Sequence, residues 1–142
     1  VFNIEKIHNS VWVFKNAIKD SHDTIEYFEQ NHEWADWYTF GNVINILMPH
    51  QYFDSFPTEE EWYSKQDSQT TNPIEKNINN LFYETTKVYI EENNIQYPNW
   101  YFEGWNIAKY HPQPEEEYAM MYHTDFQREF ASNPVSKFGI TA

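Results

Sequence analysis

Between Asn72 and Asn94, Ile74, Ile78, Leu81, Phe82, Val88 and Tyr89 return at steps of three and four residues, with Thr85 in phase. That period is helical. Asn72 can cap the first turn, and Pro73 suits the first helical position, where a missing N–H costs nothing. The pattern predicts a helix ending near Asn93–Asn94, with this stripe turned to the core. A helix of this kind needs a second layer to cover it, which sets the terms for the rest of the chain.

That layer has to be rich in aromatic side chains. The 142 residues include 11 Tyr, 11 Phe and 6 Trp, far too many for a disordered segment. The length suits one domain with a real core, in which buried Tyr and Trp need hydrogen-bond partners. With no cysteine, disulfides, thiolate metal sites and Cys nucleophiles are excluded, so any metal must be held by His, Asp or Glu. A net charge of -13 repels phosphate backbones and anionic lipid, which argues against nucleic-acid and membrane partners. No apolar run reaches the roughly 20 residues of a membrane span. With no signal peptide recognisable, the cytoplasm is the default compartment.

Two further helices are expected. Asp20-Ser21 offers a cap, and Asp23 with Glu26 has capping-box spacing, for a helix over 21–31 with Ile25 and Phe28 on one face. Thr58 and Glu61 have the same spacing after Pro57. Strands are predicted at Val11–Phe14, Val43–Met48, Tyr101–Tyr110, Tyr118–Asp125 and Lys137–Ala142, with His111-Pro-Gln-Pro114 as a break. In the Tyr101–Tyr110 strand, Trp105 and Ile107 would share one face, and Ala108 and Tyr110 the other. Helices followed by closely spaced strands predict an α+β fold: a mainly helical support region over 1–97 and core strands over 98–142, in a single domain. The start at Val1 and the strand-like end at Phe138–Ala142 make us expect an incomplete domain, a piece of a longer protein.

The pattern that carries chemistry is His123-Thr124-Asp125. On a strand, residues i and i+2 point the same way, so an imidazole and a carboxylate are aimed into one space. A nitrogen and a hard oxygen ligand suit Fe(II), Mn(II) or Zn(II), and two His with one carboxylate is the non-haem Fe(II) arrangement. The bland alternative is a histidine hydrogen-bonded to its neighbouring carboxylate.

The surrounding residues add to this pair. Trp105-Asn-Ile-Ala-Lys-Tyr110, a turn, Tyr118-Ala-Met-Met-Tyr-His-Thr-Asp125, a loop and Phe138-Gly-Ile-Thr-Ala142 together resemble a stretch of the 2-oxoglutarate/Fe(II)-dependent oxygenases of the prolyl 4-hydroxylase type. Val11–Ile18 and the helix after Asp20 look, more loosely, like that family's first strand and helix. The resemblance implies a double-stranded β-helix (jelly-roll) core with the N-terminal helices packed on its first strands. It implies Fe(II) and 2-oxoglutarate as cofactors and admits ascorbate. His123 and Asp125 match two metal ligands, and Tyr110 matches a strand tyrosine that contacts 2-oxoglutarate; its alternative role is a core tyrosine. The implied activity is hydroxylation of an unactivated C–H, on a prolyl or other peptidyl residue or a small molecule, with decarboxylation of 2-oxoglutarate to succinate. It implies nothing about oligomeric state.

The chain departs from the family pattern after Asp125. The distal histidine has no match, because His8, His22, His32, His50 and His111 all precede His123. The cation that pairs with the 5-carboxylate of 2-oxoglutarate has none either, since Arg128 and Lys137 come too early. His111, at the end of the preceding strand, is a weaker candidate for the third ligand than for a turn residue before Pro112. A second function class is a non-catalytic, aromatic-rich binding domain on the same frame, using Trp34, Trp37, Tyr38, Phe40, Trp62 and Trp100. A carboxylate-pair hydrolase finds no support, as Glu59–Glu61 and Glu115–Glu117 look like a helix start and a solvated turn.

Overall fold

The structure, a computed structural model, describes residues 2–37, 41–44, 51–69, 72–96, 99–102 and 104–112. It is mixed α+β, with strands β1 (Asn3–His8), β2 (Val11–Lys15), β3 (Ala35–Trp37), β4 (Gly41–Ile44), β5 (Gln51–Phe53), β6 (Trp100–Phe102) and β7 (Ile107–Tyr110), and helices α1 (Ser21–Asn31), α2 (Glu59–Gln69) and α3 (Pro73–Glu92). The described strands pair antiparallel throughout, as β1–β2, β3–β4–β7 and β5–β6. The predicted strands at 118–125 and 137–142 lie outside the described residues, as does 45–48 of the predicted strand after Val43. Among the described residues, no helix is long and apolar enough to cross a membrane.

The chain divides into two compact units. One takes residues 1–32 and 56–98; the other takes 33–55 and the chain from 99 onward. Residues 33–55 thus group with the later strands rather than with the helices.

In the first unit α3 is the central element. The Asn72 carboxamide oxygen accepts from the N–H groups of Ile74 (2.9 Å) and Glu75 (3.1 Å), satisfying two orphan donors of the first turn. Asn93 ends the helix, followed by Asn94 at a φ of 50°, a left-handed position that Asn tolerates. The buried face differs from the predicted stripe. Asn79, Tyr83 and Ile90 are the buried residues of α3, whereas Ile74, Ile78, Leu81, Phe82, Thr85, Val88 and Tyr89 are all half-buried. The cause is the helix α2, which lays Trp62 and Gln66 against that row. Tyr83 stacks between Phe56 (5.3 Å) and Trp62 (4.9 Å) with all three rings nearly parallel. Its hydroxyl donates to the Pro57 carbonyl at 2.8 Å. Asn79 donates to the Gln66 side chain at 3.2 Å, so the buried polar row is satisfied within itself.

The start of α2 follows its capping signal. Thr58 Oγ1 accepts from the Glu61 N–H at 3.2 Å and donates to the Glu61 carboxylate at 3.1 Å. Helix α1 spans the expected 21–31 with Asp20 at its N-cap, but the cap makes no side-chain bond and Asp23 lies inside the first turn rather than heading a capping box. Phe28 is buried, but Ile25 is 63% exposed, because the face turned inward carries Thr24, Tyr27 and Phe28. Tyr27 donates to Glu75 of α3 at 2.9 Å. The β1–β2 hairpin rests on the far end of α3, through Trp12 against Tyr89 (5.0 Å, edge to face) and Lys6 bonded to Glu92.

In the second unit the predicted strand over Tyr101–Tyr110 is two strands in different sheets, β6 and β7. The interruption falls around Gly104, a residue with nothing to pack on a pleated surface. β6 pairs with β5, burying Trp100 and Gln51 on one face and leaving Tyr52 and Tyr101 opposite one another on the other. β7 pairs with β4, and β4 with β3.

Candidate functional site

Tyr110 is the last residue of β7 and sits in register with Gly41 of β4, which is itself in register with Trp37 of β3. Directly opposed residues share a face of an antiparallel sheet. Trp37 and Tyr110 therefore flank a residue with no side chain, and their rings meet edge to face at 5.4 Å. Such a contact across an intervening strand is possible only where the middle position is empty. Gly41 is also required by the backbone: a Cβ there would run into the Lys109 carbonyl oxygen and crowd the Tyr110 Cα.

Tyr110 remains 47% exposed, and its hydroxyl has no hydrogen-bond partner among the described residues. Next to it, the Lys109 ammonium lies 4.5 Å from the centre of the half-buried Trp34 ring. His111 and Pro112 continue the chain as exposed residues. The structure thus brings Tyr110 together with Trp37, an association that sequence reading does not supply. The signal for it was a rare glycine, one of three in the chain, after a run of aromatics. His123 and Asp125 lie outside the described residues.

The aromatic residues considered as a binding surface separate. Trp62 and Trp100 are buried core, Trp34 and Trp37 are half-buried in the second unit, and Tyr38 and Phe40 lie outside the described residues. Elsewhere, His22, Asp23 and Glu26 bring potential ligand atoms within 4.8 Å of one another on the first turn of α1. All three are exposed, and His22 Nδ1 stands 4.0 Å from Asp23 and 3.9 Å from Glu26. Their shared space is open to water, as is common for acidic helix starts.

Among the described residues, the perturbed titrations fall in the first unit. Burial, then hydrogen bonds to Glu84 and Glu75 respectively, push the Tyr63 and Tyr27 phenols up. Burial also raises Tyr83, against the nearby Lys87 charge, and a hydrogen bond to Glu59 raises Lys87. Each shift has a structural partner within the helical core, so these groups hold the scaffold.

No protein-family model matches the chain, and neither a curated protein nor a solved structure matches it.

Proposed function

We propose that the protein is a 2-oxoglutarate- and Fe(II)-dependent oxygenase that hydroxylates an unactivated C–H, with a jelly-roll core to which β3, β4 and β7 belong. The observation that carries this reading is His123-Thr-Asp125 following a strand that ends in Tyr110. His123 and Asp125 hold the metal, and the Tyr110 hydroxyl, exposed and without a partner among the described residues, donates to a carboxylate of 2-oxoglutarate. Bound Fe(II) and 2-oxoglutarate supply the oxidising chemistry; the protein's share is to orient them and a peptidyl or small-molecule substrate. The antiparallel pairing of β3, β4 and β7 is compatible with a jelly roll, as it is with other antiparallel folds.

The test is metal titration of the full-length protein, with Mn(II) standing in for Fe(II) under air. Saturable binding that His123→Ala and Asp125→Ala each abolish is the expected result. Wild-type protein that takes up neither metal would remove the basis of the proposal. The competing reading is a non-catalytic aromatic binding domain, suited to the exposed Tyr52 opposite Tyr101. It predicts quenching of Trp fluorescence by oligosaccharide with no metal present.

A further inference from the structure

We infer that Trp37 is the positioning residue that sets the orientation of the Tyr110 phenol, acting across the gap left by Gly41; this rests on the oxygenase reading. A tyrosine at the end of a strand that has one partner strand among the described residues, 47% exposed, is free to swing about χ1 and χ2 unless something holds its ring. Among the described residues, no hydroxyl contact holds it. The strand on its inner side offers no side chain, because the position in register is Gly41. The indole of Trp37, one strand further, fills that role at 5.4 Å and an interplanar angle of 65°, the edge-to-face geometry that aromatic pairs favour.

The arrangement has the parts of a fixed donor. Gly41 lets the two rings meet and cannot accept a side chain without displacing Lys109 and Tyr110. Trp37 is half-buried and so better anchored than the tyrosine it touches. A phenol held this way loses less rotational freedom when it donates to a carboxylate, which is the physical content of preorganisation. Trp37 itself does not reach the ligand in this account; it acts through Tyr110.

Calorimetric titration of the Mn(II)-loaded, full-length protein with 2-oxoglutarate, in the absence of substrate, tests this. Tyr110→Phe and Trp37→Leu should each weaken binding, the latter by about threefold to tenfold, the worth of an aromatic pair. Trp37→Phe, which keeps a ring in place, should restore most of the affinity. In the double variant Trp37→Leu/Tyr110→Phe, the loss should be no greater than that of Tyr110→Phe alone. A structural role for Trp37 without positioning would instead give additive losses. Should Trp37→Leu fail to fold, Trp37→Met takes its place, being long and apolar but without a ring. Wild-type binding unaffected by Trp37→Leu, beside a Tyr110→Phe that binds weakly, overturns the positioning role and leaves the oxygenase reading standing. Wild-type protein that binds Mn(II) but not 2-oxoglutarate overturns both.

Discussion

The rings of Trp37 and Tyr110 meet edge to face at 5.4 Å on either side of Gly41, which is in register with both. Gly41→Ala is the sharpest probe of this sheet, because the new methyl would be aimed at the Lys109 carbonyl rather than at a flexible side chain. Relief requires β4 to move off β7. The expected cost is roughly 1–3 kcal/mol, in the range of overpacked sites. Hydrogen exchange should show it as lost protection in 41–44 and 107–110. Unchanged protection there would mean that the two strands do not approach as closely as described.

A second probe separates ring from hydroxyl in the helical core. Tyr83 is fully buried between Phe56 and Trp62. Tyr83→Ala should cost about 3–5 kcal/mol, as for other large aromatic deletions. Tyr83→Phe keeps the stack and removes only the bond to the Pro57 carbonyl, at about 1–3 kcal/mol for a buried acceptor left unpaired. Urea unfolding measures both. Equal losses for the two variants would show that the stack contributes nothing beyond the hydrogen bond.

The cap of α3 is a third. Asn72→Ala strands the N–H groups of Ile74 and Glu75 and should cost about 1 kcal/mol. Asn72→Asp, which keeps an acceptor, should stay close to wild type by the same measurement, and a loss equal to that of Asn72→Ala would count against the cap.

Alkaline pH should destabilise the protein through the phenols of its helical unit. Tyr63 has an ordinary value of 10.0 and is raised in the folded chain by burial and by Glu84. The folded state keeps a proton that the unfolded chain releases. The contribution is therefore intact below about pH 10 and is lost as the pH rises from there toward the folded value. Lys87, raised by Glu59, acts in the same direction above its ordinary 10.5. Tyr63→Phe should lower stability at neutral pH by the bond to Glu84. It should also flatten the alkaline decline by up to about 1.4 kcal/mol per pH unit, less with solvent screening. Denaturation midpoints across about pH 9–11 decide this, and parallel declines in variant and wild type would speak against Tyr63.

What could be read in the sequence follows from where local chemistry decides and where it does not. The Asn72-Pro73 start, the Thr58–Glu61 pair and the end at Asn93–Asn94 are local signals, and all three appear in the structure. The buried row of α3 was illegible because it is built from Asn79 and Tyr83, whose cost of burial is met by Gln66 and Pro57, residues distant in sequence. Strands β3 and β5 have three residues each, too few for alternation to register, and β1 carries charge at Glu5 and Lys6 on an exposed hairpin. The split of Tyr101–Tyr110 into β6 and β7 depends on two different partner strands, β5 and β4, which no run of β-formers reveals. At the candidate site, the His-x-Asp spacing and Tyr110 were readable as residue types. Trp37 was readable as one of an aromatic cluster, but its pairing with Tyr110 was not, because only the register through Gly41 brings the two together.

The central claim is tested most directly by 2-oxoglutarate turnover. The full-length protein with Fe(II), ascorbate and dioxygen should convert 2-oxoglutarate to succinate, slowly without substrate. His123→Ala and Asp125→Ala should each reduce that conversion to the protein-free background, and chelation of the metal should do the same. Succinate formation that is absent from the wild type, or that persists unchanged in His123→Ala, would contradict the account.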